Sequence, residues 1–187
     1  MSEGAAVDHA TGSAPRSGWP SHRSLDGGID RIPLPDRAPA GELLLCGKHV
    51  VGPDPEAALQ RAGATTVVCL NEQSELVTRY PHYVDWLKVQ PTERALWFPV
   101  PDLHAPEVDA VVPFLDDLCR RLSSGQRLLV HCGAGIGRAG TVATGVLLAL
   151  GADLDEALRV VRAHRPMAGP ESGAQLELVT ALAARFG

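Results

Sequence analysis

The sequence predicts an α/β fold, with a single sheet flanked by helices and a strand–loop–helix unit at its centre. Three observations predict it. Short apolar runs rich in β-branched residues alternate with segments of helical period. The run at 127–131 leads through Gly133, Gly135 and Gly137 into 139–150, which is apolar nearly all round, as befits a helix buried in a core. No internal repeat points to another architecture.

Residues 1–27 are rich in Gly, Ser, Ala, Pro and charge without apolar periodicity, so they read as a disordered tail, and 28–187 as one folded domain. Residues 29–34 and 43–46 suggest a short hairpin across a Pro/Asp/Gly turn. Asp54-Pro55 supplies an N-cap and a first helical position for 56–62, which Gly63 stops. A buried strand follows at 65–70, then a loop with a short helix around 80–86. Residues 95–100 form the next strand, and Pro99 places it at an edge or at its own end. Pro106 opens a long helix whose apolar positions recur with helical spacing, with Pro113 predicting a kink or a later start. Asp153 and Glu156 make a capping-box-like start for 154–164, halted by Pro166, and a last amphipathic helix runs from 171 to 185.

Length and composition narrow the function classes. A chain of 187 residues holds one domain with a sizeable core. A net charge of -5 argues against nucleic acid or anionic membrane as the main partner. The longest apolar run, 141–150, is too short to span a bilayer. The four cysteines form no CxxC pair, and Cys46, Cys69 and Cys119 lie in apolar runs where a thiol packs as a small hydrophobe. Neither a disulfide framework nor a zinc site is expected, nor any cofactor or metal. A cytoplasmic monomer is the expectation.

The chemistry lies in His131-Cys132-Gly133-Ala134-Gly135-Ile136-Gly137-Arg138. A helix N-terminus offers unpaired N–H donors and partial positive charge, and successive loop amides add a nest around the same point. The glycines let the backbone curl and approach a ligand closely. Residues 133–138 thus read as a phosphate-sized cradle. Cys132 stands at its mouth, where helix termini and cations favour the nucleophilic thiolate. Arg138 returns to the same point, and its planar fork can hold two phosphoryl oxygens. A lone cysteine after a strand is usually a core residue, and glycine-rich turns before helices are common. Cys, five residues, Arg and three interleaved glycines rarely coincide, and the lysine-serine/threonine pair of a nucleotide-binding P-loop is missing.

His-Cys-(any five)-Arg resembles the active-site motif of the protein-tyrosine-phosphatase superfamily. Phe98-Pro99-Val100-Pro101-Asp102 ahead of it and Arg165-Pro166 after it are most similar to the small dual-specificity phosphatases, over residues 40–187. The resemblance implies hydrolysis of phosphotyrosine on a protein substrate, with phosphoserine and phosphothreonine admitted by a shallow site, through a phosphocysteine. It makes Asp102, thirty positions before Cys132, the general acid. Gln175, with Glu171 second, would position the attacking water, and His131 would brace the loop. Asn71 could bond the loop backbone, and Glu72 could pair with Arg138 or face water. The absence of lysine inside the loop makes inositol lipids a poorer fit.

One departure stands out. The family commonly has Ser or Thr directly after the arginine to stabilise the leaving thiolate, whereas this chain has Ala139, with Thr141 two residues on. If Thr141 does not substitute, hydrolysis of the phosphocysteine should be slow. Two other readings stay open on the sequence: a phosphate-binding pseudophosphatase with little turnover, and a rhodanese-like cysteine enzyme.

Overall fold

The computed structural model describes residues 28–35 and 40–187. The predicted tail, 1–27, lies outside the described residues. The elements are β1 (Ile29–Ile32), β2 (Glu42–Gly47), α1 (Lys48–Val51), α2 (Pro55–Ala62), β3 (Thr66–Cys69), α3 (Gln73–Leu76), α4 (Pro81–Val89), β4 (Ala95–Trp97), α5 (Val108–Ser123), β5 (Arg127–Cys132), α6 (Gly137–Ala149), α7 (Leu154–His164) and α8 (Gly173–Phe186). The strand order is β1-β2-β5-β3-β4, with β1 antiparallel to β2 and the other pairs parallel. The expected single sheet flanked by helices is what forms.

Strands buried on both faces carry near-continuous apolar runs, and β2, β3 and β5 have them at 43–46, 67–69 and 128–130. Alternate residues then serve two cores. Leu43, Leu45, Val68, Leu128, Val130 and Cys132 face α5, α6, α7 and α8. Leu44, Cys46, Val67, Cys69 and Leu129 face α1, α2 and α4 on the other side. Every residue of α6 from Gly137 to Leu148 is buried, which accounts for its unbroken apolar sequence. A Cβ on Gly140 would collide with the backbone nitrogen of Gly169, so α6 meets the α7–α8 loop backbone to backbone.

The local signals act as expected at the caps. Asp54 accepts a hydrogen bond from the Ala57 amide at 3.0 Å, and Gly63 closes α2 with φ +59°. Asp153 accepts from the Glu156 amide at 2.8 Å, and Ser172 caps α8, which starts at Gly173, two residues later than the sequence suggests. Two elements escape the sequence reading, the single-turn helices α1 and α3, which are too short to show periodicity. β4 ends at Trp97, ahead of Pro99, on the sheet edge. The helix after Pro106 begins at Val108 and continues through Pro113 in its second turn. β5 lies between β2 and β3, so its carboxyl end opens between two parallel neighbours, where α/β sheets place ligands.

Candidate active site

Cys132 is the last residue of β5, and the loop after it turns its carbonyls outward. The Gly133 carbonyl accepts from the Lys48 amide at 3.0 Å. Those of Ala134 and Gly135 accept from Arg165 Nη2 and Nε at 2.8 and 2.5 Å. The Ile136 carbonyl accepts from the amides of Gly140 and Gly169 at 2.9 and 3.3 Å. Among the described residues, no oxygen acceptor takes the N–H of Gly133, Ala134, Gly135 or Ile136. Carbonyls held outside and free amides inside make an anion cradle, with the N-terminus of α6 adding its partial charge. Gly135 is indispensable to the curl: its φ is +73°, and a Cβ there would collide with the Cys46 carbonyl.

The outer brace is Arg165. It is fully buried, and its Nη1 lies 2.6 Å from Asp30 Oδ2 on β1. One guanidinium therefore ties the first strand to two successive loop carbonyls. In the sequence this residue stands out only as part of the resemblance.

Arg138 faces the inside of the loop with its side chain 3% exposed. Its Nη1 donates to Glu75 Oε1 at 2.6 Å and to the Val100 carbonyl at 2.8 Å, and its Nη2 donates to Glu75 Oε2 at 2.8 Å. The same Nη2 forms an ion pair with Asp102 Oδ1 at 3.1 Å. Burial works against the charge on Arg138, but Glu75, Cys132 and Asp102 outweigh it and raise its pKa. Burial also opposes ionisation of Glu75, yet the bonds from Arg138, the Glu72 amide and Asn71 hold its carboxyl at about 2.

Two expectations need correction here. Glu72 does not pair with Arg138. It precedes α3, and its amide donates to Glu75 Oε1 at 3.0 Å. Asn71 does not bond the phosphate loop; its Nδ2 donates to Glu75 Oε2 at 2.7 Å. The i,i+4 spacing of Asn71 and Glu75 around one helical turn sets both on one side, and Glu72 points elsewhere. That spacing is the signal that could have identified Glu75.

His131 points to the opposite face of the sheet from Cys132, as alternation along a strand requires. It is fully buried, 2.6 Å from the Tyr83 hydroxyl, and burial pushes its pKa down to about 4. It supports β5 from behind as a neutral ring. Tyr83, equally buried, is a second residue that sequence reasoning missed.

Asp102 is exposed on the loop between β4 and α5, in a turn closed by the His104 amide on the Pro101 carbonyl at 3.1 Å. Gln175 is 1% exposed on α8. Its Oε1 accepts from the Glu171 amide at 2.9 Å and from Thr141 Oγ1 at 3.3 Å, and its Nε2 donates to the His104 carbonyl at 3.2 Å. The amide is thus engaged with protein on both sides, which does not suit the expected water-positioning role. Thr141 gives its hydroxyl to Gln175, so it offers no substitute for the one missing at Ala139. The Glu171 side chain occupies the place a Cβ on Gly137 would take. Among the described residues, no cluster of three or more His, Cys, Asp or Glu is placed to hold a metal.

Comparison with known proteins bears on the family and the fold. No curated protein sequence matches the chain. Among solved structures, Tk-PTP in its active form is 28% identical, covering 78% of this chain and 92% of its own, with a TM-score of 0.60. Human DUSP28 superimposes at TM-score 0.62 with 23% identity, over 84% of this chain and 93% of its own. Kinase-associated phosphatase, solved with its catalytic-site cysteine replaced by serine, superimposes at 0.70 with 21% identity, over 85% and 95%. The latter two likenesses speak for the fold alone. Residues 43–179 match the family described as "Swiss Army Knife protein, DSP-PTPase phosphatase domain", and since the match spans most of the chain, the protein belongs to that dual-specificity-type phosphatase family rather than to the rhodanese-like enzymes.

Proposed function

We propose that this protein is a cysteine-dependent phosphatase that hydrolyses phosphotyrosine on protein substrates, with phosphoserine and phosphothreonine within reach of the same site. The observation that carries the reading is the convergence of Arg138, Asp102 and four loop amides that have no oxygen acceptor among the described residues, at the end of the strand that presents Cys132. In this reading the Cys132 thiolate attacks phosphorus in line and the P–O bond to the substrate breaks. The departing oxygen takes a proton from Asp102, while Arg138 and the loop amides hold the equatorial oxygens. Water then attacks the phosphocysteine with Asp102 as base, releasing phosphate and the thiolate. Hydrolysis of para-nitrophenyl phosphate and a phosphotyrosyl peptide by wild type, Cys132→Ser and Asp102→Ala tests this. Activity surviving Cys132→Ser overturns it.

A second reading, a phosphate-binding module with slow turnover, is favoured by one observation. Residue 139 has no hydroxyl, and Thr141 directs its own to Gln175. Under it, wild type gives a stoichiometric burst of nitrophenolate that Ala139→Ser abolishes by speeding release.

A further inference from the structure

We propose that Gln175 is a positioning residue for the general acid: a buried latch that holds the Asp102 loop against α6 and α8. The proposal rests on the phosphatase reading above and assigns this amide a task other than holding water.

Between Val100 and α5, two polar contacts tie the loop to the body of the protein among the described residues. One is the ion pair of Asp102 with Arg138 Nη2. It shares that nitrogen with Glu75 and competes with any phosphoryl group that Arg138 receives. It therefore weakens when substrate binds, at the moment Asp102 must be in place. The other is the bond from Gln175 Nε2 to the His104 carbonyl, two residues beyond Asp102. It lies away from the guanidinium and persists when phosphate enters.

The latch is well anchored. Both acceptor positions of Gln175 Oε1 are taken, by the Glu171 amide and by Thr141 on α6, which fixes the orientation of the carboxamide and aims Nε2 at the loop. Three segments that build the site, the α7–α8 loop, α6 and the acid loop, thus meet at one buried side chain. The loop also needs holding. Leu103 has φ +60°, a conformation a branched side chain adopts at a cost, and the residue is 55% exposed, with little packing to fix it. His104 Nδ1 donates to the Asp102 carbonyl at 2.7 Å, so a pull on the His104 carbonyl is transmitted through a tight turn to the acid.

The test compares wild type with Gln175→Met, which keeps the volume of the side chain and removes the donor. Amide exchange of residues 101–107, followed by mass spectrometry without substrate, should quicken in the variant. An unchanged rate overturns the latch whether or not the protein proves to be a phosphatase. Aryl phosphates of graded leaving-group acidity then read the acid step. Gln175→Met should lose about tenfold on phenyl phosphate, which needs the proton, and less than about threefold on para-nitrophenyl phosphate, which needs it less. In an Asp102→Asn background the same change should cost nothing further. Equal losses on both substrates, or slowed phosphocysteine hydrolysis with normal leaving-group dependence, would overturn the assignment. Wild type inert toward every aryl phosphate defeats the phosphatase reading instead, and the exchange rates then decide the latch alone.

Discussion

Arg138 and Glu75 meet end on, Nη1 to Oε1 at 2.6 Å and Nη2 to Oε2 at 2.8 Å, with the arginine side chain almost wholly buried. The pair fixes the plane of the guanidinium before any substrate arrives. A planar fork held on one edge presents the rest of itself in one orientation, which a free arginine would have to be ordered to adopt.

Glu75→Gln should therefore lower kcat/KM by about ten- to a hundredfold, by loosening Arg138 without removing it. Glu75→Ala should also lower stability by several kcal/mol, because it leaves a buried cation short of its main partner. Steady-state kinetics and urea titration of both variants provide the check. A Glu75→Gln protein with wild-type kcat/KM would show that the pair does not orient the arginine.

The two strongly shifted groups near the site divide the acid range between them. His131 has its pKa lowered from 6.5 to about 4, and Glu75 from 4.5 to about 2. In both cases the unfolded chain binds the proton more readily, so stability falls as pH falls through each window. Buried His131 contributes roughly 3 kcal/mol that disappears between about pH 6.5 and 4. Solvent reaches the Glu75 carboxylate, and screening reduces its share to about 1–2 kcal/mol, lost between about pH 4.5 and 2. Chemical denaturation across pH should find the upper window flattened in His131→Gln and the lower one in Glu75→Gln. Unchanged slopes would contradict the assignment.

The contrast between Glu75 and Cys132 shows what the sequence makes legible. Cys132, Arg138 and the glycines are contiguous, and their meaning lies in spacing along one strand, loop and helix. The strands and long helices are legible for the same reason, since burial writes itself at a fixed period. Glu75 reaches the site across the sheet, 63 residues from Arg138, on a single helical turn too short to leave a periodic trace. Arg165 and Asp30 are 135 residues apart, and nothing local tells an arginine at a helix end that it will be buried under another segment's carbonyls. The family resemblance singles out Gln175, but its partners come only from packing.

The other cysteines should not protect Cys132 from oxidation. Cys46 and Cys69 sit in register with His131 on the neighbouring strands, so they share its face of the sheet and not that of Cys132. Burial pushes the Cys69 thiol up to about 12 and the Cys119 thiol up to about 11, which suppresses both as nucleophiles. Cys119 is also near the end of α5, which leads into the far end of β5 from Cys132. Dilute peroxide should carry Cys132 to sulfinic acid, with inactivation that dithiothreitol does not reverse. A peptide map showing Cys132 in a disulfide would refute this.

Arg165→Met should cost about 3–5 kcal/mol, because it takes the guanidinium from Asp30 and from two loop carbonyls at once. Arg165→Lys should rescue little, since an ammonium cannot reach the three acceptors that one planar fork reaches. Denaturant titration measures the loss. Full stability in the lysine variant would mean that charge alone holds the loop.

The loop glycines should rank differently from what their even spacing suggests. A Cβ on Gly135 meets the Cys46 carbonyl, which belongs to a central strand and cannot retreat, and φ there is +73°. Gly135→Ala should therefore abolish most activity and cost at least about 2 kcal/mol through strain and displacement of the loop. At Gly137 the atoms nearest a Cβ belong to the Glu171 side chain, which is exposed and can swing into solvent. At Gly133 its one neighbour is Arg138 Nη2 at 3.5 Å, an ordinary contact. Gly137→Ala and Gly133→Ala should both stay within about 1 kcal/mol of wild type. Of the two, Gly133→Ala should be the more damaging to substrate affinity, since its methyl group lies against the guanidinium that receives the phosphate. Thermal unfolding and KM measured on the three single variants give the order directly, and a Gly137→Ala protein less stable than Gly135→Ala would show that the Glu171 side chain is held far more firmly than its exposure implies.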